Sequence, residues 1–489
     1  MSTKIILSDV EKNVVNLLKK TAEFIEQSRG GNATVEVRLA GGWVRDKLLG
    51  FSSDDLDVTL NKINGIDFAK AILEYVNVLD PKIAIPYKQS IGKLTVNPDQ
   101  SKHLETATLS LYGLDIDFVG LREEIYDDKS RIPVVHQGTI ETDTYRRDFT
   151  LNSLFYNIRS EQIEDITKRG FTDLKNRNLV TPISPIRSFL EDPLRILRGL
   201  RFASRFKFTL DPSLHDAVQN LGVQKAFNIK VSKERVGEEV EKMLRGPNPD
   251  LSLHLIYSSG ASSFMFGPIP DGKNKVPQKS VEAAIHLFKQ FQELFSKLPS
   301  LSDDDRFSIW LFTALLPWAQ QSIIQKKKLT FIPAVLARDN LKLNNHVITQ
   351  LNTSCLYADV FDALANDLAK ATRSEIGNVV RQIGKNWAVA FLSSLLYSYC
   401  KREDEKISDV FMKFSNLYSL IYDQNLQKSY EIKPLLDGKQ IIQKMEIKPG
   451  PELKTIMEQM ISWQFENPEG TVSDLITYLQ SLKQIMEGK

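Results

Sequence analysis

The chain has 489 residues, 42% hydrophobic and 25% charged, the balance of a soluble globular protein with room for two to four folded units. No apolar run approaches the ~20 residues of a membrane helix, and two cysteines, Cys355 and Cys400, exclude a disulfide framework or a cysteine zinc cluster. A net charge of +2 neither demands nor excludes a polyanionic partner, so local clustering has to decide.

The opening Met1-Ser2-Thr3-Lys4-Ile5-Ile6 is followed early by Asp9 and Glu11. It has neither the apolar region of a signal peptide nor the arginine-rich, acid-poor pattern of a transit peptide. Cytoplasm or nucleus is expected, with a mitochondrial pool left open. Residues 8–29 place Val14, Leu17, Leu18, Ala22 and Ile25 on one helical face. Val35 to Leu39 alternates as a strand and runs into Gly41-Gly42 and a short helix to Leu49. Leu56 to Leu60 and Leu114 to Val119 read as further strands, with a helix over 67–78 between them. Residues Ser153 to Ile158 form another strand. After about residue 185 the spacing turns helical, over Leu190–Phe206, Pro212–Leu221 and Lys233–Leu244, and stays so beyond the loop Gly267 to Gly272. An α+β fold follows, with a mixed-sheet head and a mostly helical remainder.

Three clusters carry chemistry. In the first, Gly41-Gly42 follows a strand, so backbone can approach a phosphate and turn its amides to it, with Arg45 as a donor fork. Asp55 and Asp57, two apart in a strand, put both carboxylates on one face, as magnesium bridging substrate phosphates requires. A third carboxylate is expected on a neighbouring strand, at Asp117, with Asp115 on the same face. The second cluster is Arg146-Arg147-Asp148 with Asn152, suited to a ribose and its phosphates. The third runs from Glu191 to Phe206. Asp192 and Arg195, three apart, share a helix face that Arg198, Arg201 and Arg205 extend as a basic stripe. A carboxylate accepts from cytosine N4 or adenine N6, and a guanidinium donates to cytosine N3 and O2 or adenine N1. Guanine O6 and uracil O4 would meet the carboxylate acceptor to acceptor, so this pair is expected to take C and A and refuse G and U.

In this order, Gly-Gly-x-Val-Arg-Asp, Asp-x-Asp, Arg-Arg-Asp-x-Thr-x-Asn and Glu-Asp-x-x-Arg resemble the class II tRNA nucleotidyltransferases of the DNA polymerase β-like superfamily, closest to the fungal members. Lys233-Glu234-Arg235-Val236-Gly237-Glu238-Glu239 is similar to that family's fifth motif. The resemblance implies that Asp55 and Asp57 hold two Mg2+ ions and that Asp117 shares the ion facing the tRNA 3′-hydroxyl. It implies that Arg146, Arg147, Asp148 and Asn152 contact the nucleotide's sugar and phosphates, and that Asp192 and Arg195 act as a protein template for the base. The implied shape is a seahorse: head 1–160, neck 161–265, body 266–430 and tail 431–489. The implied reaction adds C, C and A to the tRNA 3′ end from CTP and ATP, by a monomer away from membranes. In the family hinge, here Asp165 to Thr181, Val180 stands where arginine is expected, which raises CC-only addition as the alternative. A full-length loop over Pro81 to Gly113 argues for complete addition.

The rivals are a poly(A) polymerase, which incorporation of C would exclude, and a non-catalytic RNA-binding protein, against which the presence of both Asp55 and Asp57 speaks. Lys326-Lys327-Lys328 is read as a phosphate contact or an exposed run at a helix end. His215-Asp216, behind the Asp211-Pro212 helix start, is read as structural.

Overall fold

The computed structural model describes residues 5–28, 34–53, 55–96, 106–125, 133–267, 281–287, 301–402 and 405–487. Residues 97–105 of the loop expected over Pro81 to Gly113, and 268–272 of the loop after Gly267, lie outside them. The chain divides into two compact units, Met1–Glu239 with Leu255–Phe264, and Val240–His254 with Met265–Lys489.

The first unit is built on a seven-stranded sheet of order β3-β4-β5-β2-β1-β8-β9. Its strands are β1 (Val37–Ala40), β2 (Asp55–Leu60), β3 (Ile91–Val96), β4 (Ala107–Leu111), β5 (Leu114–Gly120), β8 (Leu154–Asn157) and β9 (Gln162–Asp165). Central β1 is buried along its whole length and pairs antiparallel with β2 and β8. Strands β2 and β5 run parallel, in the register Asp55 to Asp115 and Asp57 to Asp117. Leu56, Val58 and Leu60 on β2, with Ile116 and Phe118 on β5, point into the core. Helices α1 (Asp9–Ser28) and α3 (Gly65–Val78) cover that face with Val14, Leu17, Leu18, Phe68 and Ile72. Period-two alternation leaves Asp55, Asp57 and Thr59 on the opposite face.

Helix α2 (Gly42–Leu49) begins on Gly41 at φ 66°, a conformation that favours glycine. Glu11 ties α1 to it, accepting from Trp43 Nε1 at 3.0 Å and Lys47 Nζ at 2.8 Å. A smaller sheet pairs β6 (Arg122–Ile125) with β7 (Val134–Gln137). Helix α4 (Pro81–Ser90) leads into β3, so the described part of the stretch expected as a loop over Pro81 to Gly113 is mostly helix and strand. Helix α5 (Ile140–Tyr145) starts from a capping box on Thr139, and a 3-10 turn covers Thr150–Asn152.

Beyond the sheet come helices α6 (Gly170–Asn176), α7 (Pro185–Glu191), α8 (Arg195–Phe206), α9 (Pro212–Gln219), α10 (Leu221–Lys230) and α11 (Lys233–Leu244). The helix expected from Leu190 to Phe206 is therefore two helices. Pro193 has no N–H to continue the ladder and holds Asp192 extended at φ −133°, ψ 98°. Asp192 and Arg195 flank a break and do not share a helix face as expected. His215 lies on α9, whose N-cap is Asp211 and first residue Pro212, and its ring meets the Ser258 carbonyl at 3.2 Å.

Among its described residues the second unit is helical apart from one hairpin. Its longest helix, Asn345–Asn366, packs on Trp387–Lys401. Helix Arg373–Ile383 packs on Pro451–Glu466, with Gly377 against the Phe465 ring. Leu436, Ile441, Met460, Leu475 and Leu479 form a buried cluster near the C-terminal end. The hairpin Ser322–Gln325/Lys328–Phe331 turns at Lys326 (φ 48°) and Lys327 (φ 65°). The lysine run is a hairpin tip and not the helix end expected, because flanking Ile323, Ile324, Leu329 and Phe331 favour strands. Cys355 and Cys400 are unbridged, and burial pushes the Cys400 thiol up to about 12.

Candidate active site

The open face of the sheet forms one wall of a cavity of about 560 Å³ in the first unit. Gly41, Gly42, Asp57, Thr59 and Val119 line this wall. A Cβ on Gly41 would sit 3.1 Å from Arg147 Nη1 and 3.7 Å from Asp57 Oδ2, so the turn, the arginine and the carboxylate meet at one point. Asp57 opens to the cleft but lies among protein on its other sides. That burial raises its pKa, as do the charges of Asp117 and Asp55, with Arg147 and Arg122 opposing. Asp55 and Asp117 stand beside Asp57 on the same face without lining the cavity. Asp117 accepts from Thr108 of β4.

A second wall is an arginine-rich polar network. Arg45 is buried, with Nε on Asp46 at 2.7 Å, Nη1 on Asn152 Oδ1 at 2.6 Å, and its plane over the rings of Phe202 and Phe206. Asn152 passes the contact on, donating to Asp148 Oδ1 at 2.9 Å. The other oxygen of Asp148 accepts from Arg198 Nε at 2.8 Å and Nη2 at 2.7 Å. Burial opposes the charge on Asp148, but Arg198, Asn152 and Arg195 outweigh it and hold its pKa below the ordinary carboxylate value. Arg146 and Arg147 converge on Asp143, which is wholly buried: Arg146 Nε reaches Oδ1 at 2.9 Å and Arg147 Nη2 reaches Oδ2 at 2.9 Å. Burial works against ionised Asp143 too, and again the two arginines prevail and lower its pKa. Arg146 also pairs with Glu124 at 2.9 Å, and Arg147 lies over the Phe155 ring.

The third wall comes from α7, α8 and α11. Asp192 accepts from the Leu194 amide at 3.1 Å and from Arg235 Nη2 at 3.4 Å. Arg195 is 4% exposed, and its donors reach Ser188 Oγ at 2.8 Å, Glu191 at 3.4 Å and the Arg146 carbonyl at 2.6 Å. The residue is thereby fixed in place with few donors left for a ligand. Arg198, Arg201 and Arg205 all line the cavity, as the stripe requires, and Arg201 is held by Glu239 at 2.6 Å.

Residues 37–180 match the poly(A) polymerase head domain. The chain is 59% identical to tRNA nucleotidyltransferase cca2 of Schizosaccharomyces pombe, over 99% of this chain and 100% of that protein. The chain belongs to the tRNA nucleotidyltransferase family. It is also 39% identical to the mitochondrial CCA tRNA nucleotidyltransferase of Saccharomyces cerevisiae, over 98% of this chain and 94% of that one. Its fold is shared with the Thermotoga maritima CCA-adding enzyme solved in complex with tRNA, at a TM-score of 0.63 and 19% identity, covering 96% and 95% of the two chains. This tRNA nucleotidyltransferase is α+β, as its sequence implies. No helix among the described residues is long and apolar enough to cross a membrane.

One cavity thus gathers Gly41, Gly42, Arg45, Asp57, Arg146, Arg147, Asp148, Asn152, Asp192, Arg195 and Arg198, and leaves Asp55 and Asp117 at its edge. Sequence reasoning missed Asp143, Arg122 and Glu124. Asp143 was within reach, since it sits three and four residues before Arg146 and Arg147, the spacing of helical ion pairs. Arg122 and Glu124 carry no local signal.

Proposed function

We propose that this tRNA nucleotidyltransferase adds C, C and A to the tRNA 3′ end from CTP and ATP without a nucleic-acid template. The observation that carries the reading is that Asp57 and the pair Asp192 and Arg195 line one cavity, with an arginine wall between them. The names of the budding-yeast and Thermotoga relatives support the same product and partner. The yeast relative brings a mitochondrial pool into the reading beside cytoplasm and nucleus.

The donor set fits divalent cations. Among the described residues no group of three or more Asp, Glu, His or Cys is placed to hold a metal ion by itself. Asp55, Asp57 and Asp117 instead crowd negative charge at an open edge, where Mg2+ takes one or two carboxylates and completes its shell with substrate phosphates and water. Asp55 and Asp57 would hold two such ions, with Asp117 supporting the one beside the 3′-hydroxyl. Ions bound there supply charge neutralisation on the triphosphate and a lowered pKa at that hydroxyl.

The chain itself contributes position. The turn at Gly41-Gly42 admits the triphosphate to the backbone, and the wall of Arg45, Arg146 and Arg147 receives its charge. Asp148 and Asn152 set the ribose. Asp192 accepts from the exocyclic amine of C or A, and Arg195 orders the base edge from its fixed site. The second unit, including 431–489, is assigned to the tRNA, which shape and backbone contacts suffice to hold.

The test offers CTP, ATP or both to tRNAs ending at the discriminator base, at C and at CC. Full-length product from both nucleotides is expected, and Asp57→Ala is expected to abolish it without lowering the melting temperature. Turnover of Asp57→Ala at the parent rate would refute the metal assignment. A second reading, CC-only addition, is favoured by Val180, which is buried with its carbonyl bonded to the Thr150 amide at 2.9 Å, so this hinge position offers no cation. Product stopping at CC would select it.

A further inference from the structure

We propose that Arg122 is a triphosphate-positioning residue, a guanidinium held at the Asp57 end of the cavity to receive the β- and γ-phosphates of either nucleotide. The proposal rests on the nucleotide-transfer reading above and adds a residue that its motifs do not contain. Arg122 opens β6 and lines the cavity. Its side chain is 30% exposed. Among the described residues its Nε is the only buried arginine nitrogen without a hydrogen-bond partner. That nitrogen lies 3.3 Å from Glu124 Oε1 without the alignment of a hydrogen bond. Arg45, Arg146, Arg147, Arg195 and Arg198, by contrast, donate to protein acceptors.

The backbone beneath Arg122 is fixed. Its amide donates to Asp143 Oδ1 at 3.4 Å, the carboxylate that also anchors Arg146 and Arg147. A Cβ on Gly138 would lie 2.5 Å from the Arg122 carbonyl carbon, so β7 closes directly onto it. This corner therefore holds three guanidinium groups, Arg122, Arg146 and Arg147, around Asp143 and Glu124, with Asp57 as a third carboxylate beside them. Asp143 and Glu124 accept from Arg146 and Arg147, whereas the Nε of Arg122 donates to neither, so this guanidinium keeps its donors for an anion in the cleft. Asp57 has Arg122 and Arg147 as its neighbouring cations, which sets Arg122 at the end of the cavity where phosphates rather than a base would lie.

The test compares the parent with Arg122→Ala and Arg122→Lys in single-nucleotide incorporation and in inhibition by inorganic tripolyphosphate. Arg122→Ala is expected to raise KM for CTP and for ATP by the same factor, about tenfold to a hundredfold for a charge-assisted contact. The tripolyphosphate Ki should rise alongside, with KM for tRNA and the melting temperature unchanged, and Arg122→Lys should recover part of the loss. An unchanged tripolyphosphate Ki overturns the proposal, whatever the activity. So does a shift in the CTP to ATP ratio, which would mark base reading, or a rise in KM for tRNA alone. If the parent incorporates nothing onto tRNA, the function proposed above fails, while calorimetric binding of tripolyphosphate to parent and variants still decides the role of Arg122.

Discussion

Asp143 is never in the cavity, yet it sets two arginines that are. Its ionised form is held by Arg146 and Arg147 against the cost of full burial, so its native pKa is depressed. A depressed acid pKa stabilises the fold above the unfolded value and loses that contribution as pH falls through the native one. Asp143→Asn is therefore expected to destabilise by about 3 kcal/mol at pH 7, because it removes the charge partner that two part-buried guanidinium groups share. The deficit should narrow only below about pH 4, and urea titrations of parent and variant across that range measure it. At this scale the sequence was informative where side chains act through short spacings. The pair Asp55 and Asp57, and the stripe Arg198, Arg201 and Arg205, could be placed by period alone. Arg122 and Glu124 could not, because they reach the cavity through a strand pairing that no local pattern announces.

Among elements, the attachment of α1 to α2 turns on Glu11. It is buried at 4% exposure and accepts from the Ser8 amide at 2.7 Å, Trp43 and Lys47, with its own amide on Ser8 Oγ at 3.3 Å. One side chain thus caps its own helix and anchors the helix that follows the Gly41 turn. Glu11→Ala is expected to cost about 2 kcal/mol, from a lost cap and an unpaired indole N–H. Chemical denaturation checks the number, and a smaller loss in Glu11→Gln would assign the difference to charge. The strands β1, β2, β5 and β8 were legible because alternation and burial agree there. The small β6–β7 sheet and the hairpin at Lys326 were not, since each depends on partners that only the folded chain brings together. The helix break at Asp192 was written in Pro193, but apolar spacing on both sides ran through it.

Over the whole molecule the cavity belongs to the first unit, so damage to the second should leave nucleotide binding intact. Gly377 offers the case: a Cβ there would meet the Phe465 ring at 2.6 Å, where helix Arg373–Ile383 packs on Pro451–Glu466. Gly377→Val is expected to lower stability by about 2–3 kcal/mol through overpacking. CTP binding, followed by calorimetry on the full chain, should keep its affinity, and a matching loss there would deny the independence of the two units. The chemistry-bearing motifs could be read from the sequence of the first unit. In the second, helices could be read but not their order of packing, because amphipathic faces do not name their neighbours. The interruption at Pro193 has a broader meaning. Asp192 and Arg195 hang from separate rods joined by a kink, so the gap between them is set by a joint and not by the fixed pitch of one spiral. If the pair reads bases as proposed above, Asp192 can shift at that joint between a purine and a pyrimidine while Arg195 keeps its fixed site, and neither rod has to unwind.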